Sequence, residues 1–175
     1  MITVLVGTNR PNSRARRVAN LYDGMLRELG AETQFLDLAE LPDAALVSAL
    51  DYDAARHGAF EGLAALLETG AKLVIFVPEY NNTIPGVLKL FIDGLPYHAG
   101  LRDKKAALVG LGSGSQGGGP ALSHLTDVLM YLNSAVLPQR VRLPFIDKEL
   151  TADGQFSTPL LGQLLREQAA ALLAF

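Results

Sequence analysis

The chain has no cysteine, which excludes disulfides, thiol catalysis, iron–sulfur clusters and thiolate metal sites. Its three histidines, His57, His98 and His124, lack metal-ligand spacing. Their expected places are the surface and helix ends. No apolar run approaches the roughly 20 residues of a membrane span. The opening MITVLVG carries neither a basic segment nor a cleavage site, so no signal peptide is expected. Net charge is −3 without a basic block, which argues against nucleic acid and membrane surfaces as partners. The GxxxxGK motif of nucleotide triphosphatases is missing. Ser113, Ser115 and Ser123 have no His–Asp partners at a recognisable spacing, so no nucleophile–base triad is read. These absences leave a soluble, cytoplasmic protein as the expectation.

What is present suits one packed domain over 1–175. Of its 175 residues 49% are hydrophobic and only 19% charged, enough for a full core with apolar surface left for self-association. Strand and helix signals alternate. Strands are expected at 2–6, 33–38, 73–77, 105–111 and 135–141, the last interrupted by Pro138. The second carries Gln34 and Asp37 and belongs near an edge. Helices are expected from Ser13, a cap residue, to the stop at Gly30, over 54–69, after Pro85, from Pro120, and over 159–173. Residues 41–51 and the acidic link 147–154 read as connections. Alternation of this kind predicts an α/β fold, a five-stranded parallel sheet between two helix layers in the order 2-1-3-4-5. Its switch point lies between the first and third strands.

The loops after strands 1, 3 and 4 then open side by side at the carboxyl edge. The first offers Thr8, Arg10, Asn12, Ser13 and Arg14 just before a helix N-terminus, a place suited to a phosphate. It reads equally as an ordinary capped turn with solvated arginines. The second holds Pro78, Glu79, Tyr80, Asn81, Asn82 and Thr83 between the central strand and a helix. Tyr80 gives a stacking surface, and its neighbours give hydrogen-bonding groups. Glu79 could be a catalytic carboxylate, but no second carboxylate or histidine sits near it in sequence, and a structural role reads better. The third contains Gly112, Ser113, Gly114, Gln116, Gly117 and Gly118 and matches GxGxxG. No acidic residue follows at the ribose spacing, and the site is the fourth strand. A flat backbone wall against a planar ligand fits better, with a mobile glycine lid as the plain alternative. Together the loops suit a mononucleotide with a planar ring, FMN foremost.

At these residues the chain resembles the NADPH-dependent FMN reductase family, flavodoxin-like quinone, azo-dye and chromate reductases. The likeness runs from Val4 to about Val141. It is most specific at Pro78-Glu79-Tyr80-Asn81 with Ile84-Pro85-Gly86-Val87-Leu88-Lys89 and Asp93, and extends to Gly7-Thr8, Arg10 and Ser13. The resemblance implies a flavodoxin-like three-layer sandwich in which Thr8, Arg10 and Ser13 hold the FMN phosphate. Pro78 to Asn81 would line the flavin ring on one side and residues 112–118 on the other. It also implies NADPH or NADH as reductant and a homodimer or homotetramer. Ala15, Asn82, Leu90 and Gly94 depart from the family pattern, which has Asn, Gly, Asn and an aromatic there.

The function expected is transfer of a hydride from NAD(P)H through bound FMN to a small electron acceptor such as a quinone, free flavin, an azo compound or a metal oxyanion. No side chain is an obligatory acid or base, and Tyr80 is a possible contact to the acceptor, as are Tyr97 and His98. Two alternatives stand beside it. One is a flavin-binding electron carrier or redox sensor without turnover, and the other is a nicotinamide-binding protein without flavin.

Overall fold

Unbroken apolar strands need cover on both faces, and the chain supplies it by alternating strand with helix. In this computed structural model residues 1–42, 60–96 and 100–175 are described. The elements run β1 (Ile2–Val6), α1 (Arg14–Glu28), β2 (Thr33–Asp37), α2 (Glu61–Glu68), β3 (Lys72–Pro78), α3 (Gly86–Gly94), β4 (Lys105–Leu111), α4 (Gly119–Tyr131), β5 (Ala135–Val136), β6 (Val141–Leu143), α5 (Ile146–Glu149) and α6 (Pro159–Ala174). Of the expectations above, most of the 41–51 connection, the first turns of the 54–69 helix, His57, Tyr97 and His98 lie outside the described residues.

The sheet is parallel in the order β2-β1-β3-β4-β5, the flavodoxin-like arrangement expected. β2 is at the edge. Period-two alternation divides the core. Leu5, Leu73, Ile75, Val77, Ala106 and Leu108 pack under α2, α3 and α4 with Phe60, Leu67, Leu88 and Phe91. Val4, Val6, Val74, Phe76, Ala107 and Val109 pack under α1 and α6 with Val18, Tyr22, Leu165 and Leu172. Tyr22 and Phe76 meet edge to face at 5.5 Å, and burial raises the Tyr22 phenol far above its usual pKa. Among the described residues no helix is long and apolar enough to cross a membrane.

Local rules place the helices. Ser13 Oγ accepts the Arg16 N–H at 3.1 Å and starts α1. Gly30, with φ +84°, ends it. Gly94 is small for a packing reason: a Cβ there would lie 2.7 Å from the Phe60 ring. The aromatic bulk that the family pattern puts at position 94 would collide with that ring.

The fifth strand differs from expectation. It is two pieces, because Pro138 has no N–H for the ladder. Lys105 pairs with Ala135 but Val109 with Val141, so two extra residues are absorbed across the break. Gln168, fully buried on α6, fills the gap by donating Nε2 to the Leu108 and Gln139 carbonyls at 3.0 and 2.7 Å. The 147–154 link is also more ordered than expected, since its start belongs to the helical turn α5.

Candidate functional site

Loops following β1, β3, β4 and β6 meet around a cleft of about 500 Å³ at the carboxyl edge of the sheet. That size lies within the roughly 300–1,000 Å³ of small-molecule sites. Thr8 leaves β1 fully buried, and its Oγ1 is 2.6 Å from the Tyr80 hydroxyl. The Arg10 N–H reaches Thr8 Oγ1 at 3.3 Å, and the Arg10 guanidinium lies 4.4 Å from the centre of the Tyr80 ring. First and second loops are therefore locked by one hydroxyl pair and one cation–π contact, the latter worth about 0.5–2 kcal/mol. The cleft also meets the start of α1, whose first N–H groups have no intrahelical partner. Arg16, one turn in, is turned away to β2, where it bonds Asp37 at 2.7 Å and Glu40 at 2.9 Å. The hydrogen bond to the buried Asp37 carboxylate raises its already high pKa.

The second loop is a tight turn. Tyr80 and Thr83 exchange backbone hydrogen bonds at 3.0 and 3.1 Å, and Asn81 and Asn82 sit at φ +50° and +65°. Positive φ at both central residues makes it a type I′ turn, a conformation Asn tolerates. Asn82 thus takes the backbone role open to the glycine of the family pattern. Thr83 Oγ1 points the other way, 2.7 Å from His124 Nδ1 on α4. Glu79 is anchored by its N–H on the Leu111 carbonyl at 2.8 Å. Its Oε2 is buried without a hydrogen-bond partner. A buried acceptor that lacks a donor, in the wall of a cleft, is the site's strongest sign of an intended ligand.

The glycine loop is held from behind. The Gly112 N–H donates to the Leu143 carbonyl at 3.1 Å, and the Phe145 and Ile146 N–H groups donate to the Gly114 and Gly112 carbonyls at 3.2 and 3.1 Å. Gly118 has φ +81°, and a Cβ there would meet the Leu111 nitrogen at 2.7 Å. A Cβ on Gly117 would meet the Pro144 nitrogen at the same distance. These two glycines are needed for the loop to lie on its own strands.

Thr8, Arg10, Asn12, Ser13, Arg14, Pro78, Glu79, Tyr80, Asn81, Gly112 and Ser113 all line the one cleft. Asn82, Thr83, Gly114, Gln116, Gly117 and Gly118 do not. Gln116 lines a different cleft. Sequence reasoning left out Asp147, which lines the first cleft and pairs with Arg14 (Oδ1 to Nε 2.8 Å). Its position just after the last strand places it at the same sheet edge, but its turn into the cleft depends on the return of the chain, which the sequence does not display.

The sequence pattern of the NADPH-dependent FMN reductase family matches residues 1–146. A 2-hydroxy-1,4-benzoquinone reductase from Burkholderia sp. is 29% identical over 141 residues, 79% of this chain and 74% of that one. An NADPH azoreductase from Bacillus sp. (strain OY1-2) is 25% identical over 178 positions, 99% of this chain and 93% of that one. Among solved structures, FerB, a flavoenzyme NAD(P)H:(acceptor) oxidoreductase from Paracoccus denitrificans, superposes with a TM-score of 0.78. That alignment has 21% identity and covers 99% of this chain and 94% of that one, a likeness of fold.

Proposed function

The chain belongs to the NADPH-dependent FMN reductase family, and on that premise we propose that its first cleft holds FMN and serves quinones and other small acceptors. Free flavin, azo compounds and metal oxyanions fall within the same class. When bound, FMN supplies the hydride-accepting and electron-donating chemistry.

The protein's part is to bind, orient and exclude water. Thr8, Arg10, Asn12, Ser13 and Arg14, with the free N–H groups of α1, form the phosphate end. Pro78 to Asn81 form one wall for the ring, and Gly112 and Ser113 the other. Asn82 and Thr83 hold the turn that presents Tyr80, while Gly114, Gln116, Gly117 and Gly118 build the loop behind the second wall. Tyr80, tied to Thr8 and covered by Arg10, keeps a fixed ring at the entrance as the acceptor contact. The observation that carries the reading is the partnerless, buried Glu79 Oε2 among these residues. A flavin ring N–H is a donor of the kind it lacks.

The protein is further assigned as one domain working in the cytoplasm as a homodimer or homotetramer. Met130 and Tyr131, 58% and 74% exposed at the end of α4, supply apolar surface for a second copy. Light scattering reads that assembly.

The deciding test is the visible spectrum after adding FMN and gel filtration. A retained flavin spectrum, followed by NAD(P)H–quinone turnover, is expected. A colourless protein without FMN affinity would overturn the reading. Arg10→Ala is expected to lower FMN retention about tenfold, the loss of one charge-assisted contact. Full FMN affinity in that variant would remove Arg10 from the phosphate site.

A further inference from the structure

A second cleft, of about 460 Å³, lies against the first turns of α4. The glycine loop contributes to both clefts, Gly112 and Ser113 to the first and Gln116 to the second. The second contains Arg140 and Arg142 and no carboxylate. Arg14, Arg16, Arg27, Arg102 and Arg166 each pair with an acidic side chain. Arg140 and Arg142, both exposed, do not among the described residues, and neither does Arg10 of the first cleft. Arg140 Nη1 donates to the neutral Thr126 Oγ1 at 3.3 Å. Two unneutralised guanidinium groups thus share one concave site in a chain of net charge −3.

The setting strengthens the argument. A Cβ on Gly119 would lie 3.5 Å from Arg142 Cδ and Nη1, so this guanidinium rests against the first residue of α4. A cation there faces the positive end of the helix. Gly118 supplies no side-chain cap, and the first turn has no acidic residue. Cation and helix end repel each other, a repulsion that solvent screens in part and an anion between them would turn into attraction. Two forked guanidinium groups favour phosphate, and Gln116 and Ser123 add neutral hydrogen-bonding groups. The volume exceeds what a bare phosphate needs, and Pro138 gives an apolar surface for an attached ring.

Resting on the reductase reading, we infer that this cleft takes the 2′-phosphate end of NADPH, with Arg140 and Arg142 as the residues that favour it over NADH. FMN carries a single phosphate, already assigned to the start of α1. The 2′-phosphate is the group by which NADPH differs from NADH, and the shared glycine loop puts its cleft next to the flavin cleft.

The test is calorimetric titration of the whole protein with adenosine 2′,5′-bisphosphate, adenosine 5′-monophosphate and inorganic phosphate, in the wild type and in Arg140→Gln/Arg142→Gln. Wild type is expected to prefer the bisphosphate over the monophosphate by at least about tenfold, as for lost charged hydrogen bonds. The double variant is expected to bind the two equally while retaining FMN as wild type does. The single variants should fall between, which separates the effect from misfolding. No preference in wild type, or a preference that survives in the double variant, overturns the inference. So does inorganic phosphate binding as tightly as the bisphosphate, which would mark a free-anion site. FMN retention measured on the same samples reports separately on the reductase reading, since colourless wild-type protein sinks that reading whatever the bisphosphate does.

Discussion

The two clefts draw on different residues of one glycine loop and differ in how their cations are used. In the first, Arg14 pairs with Asp147 at 2.8 Å and Arg10 lies on Tyr80. In the second, Arg140 and Arg142 have no carboxylate partner among the described residues. A site whose charges are engaged by its own chain keeps its shape and selects ligands by fit, because little ordering remains to be done on binding. A site of unneutralised charge selects by electrostatics, so its affinity falls as salt is raised. On the proposed reading the first cleft orients a ring and holds one phosphate with groups already engaged by the chain, while the second recognises its anion through open charge.

The substitution expected to act most strongly breaks both clefts at once. Gly118→Ala puts a Cβ into the Leu111 nitrogen at φ +81°. A cost on the order of 3 kcal/mol is expected, read as a melting temperature lower by about 10 °C. An unchanged melting temperature would show that the loop relaxes freely. Next comes the lock of the first cleft. Thr8→Val and Tyr80→Phe each remove one side of the 2.6 Å hydroxyl pair, at about 1 kcal/mol apiece. Their double-mutant cycle is expected to show coupling of about 1 kcal/mol. Strict additivity would mean that the pair is incidental.

Smaller effects sharpen the comparison. Asp147→Asn releases Arg14 from a half-exposed ion pair, so stability should change by less than about 0.5 kcal/mol. FMN affinity should rise about twofold, moving the first cleft toward the character of the second. A fall in FMN affinity would instead make the Asp147 carboxylate a cofactor contact. The smallest effect lies in neither cleft. Hydrogen bonds from Thr158 and Ser157 hold the Glu149 carboxyl below its usual 4.5. A value lowered on folding gives stability that is present above the unfolded pKa and lost as pH falls through the folded one. Any excess in melting temperature of wild type over Glu149→Gln should therefore be full near neutral pH and fade below about pH 4.5. A constant difference would contradict this.

What could be read without coordinates was what local rules dictate. Ser13 capping α1, Gly30 ending it and the buried run from Leu73 to Val77 each follow from a few neighbouring residues, and strand alternation then fixes the sheet order. The type I′ turn was legible in principle, since Asn81-Asn82 are two residues that tolerate positive φ, but a polar loop is the weaker reading they invite. Asp147 was not legible as a cleft residue. It arrives by a return of the chain that no local pattern encodes. Gly117 and Gly118 suggested a ligand-facing wall, whereas the close approach they permit is to strands of their own sheet. The second cleft stayed invisible for a similar reason, because Arg140 and Arg142 meet α4 only after Pro138 has shifted the pairing of the last strand.

The plug at that shift sets an order of events during synthesis. The Leu108 and Gln139 carbonyls have their donor in Gln168, about thirty residues behind Pro138 on a ribosome that adds roughly 5–20 residues per second. Strands β1 to β4 can pair while the chain is still emerging. The outer edge, with the arginine cleft beside it, lacks this donor until Gln168 has emerged.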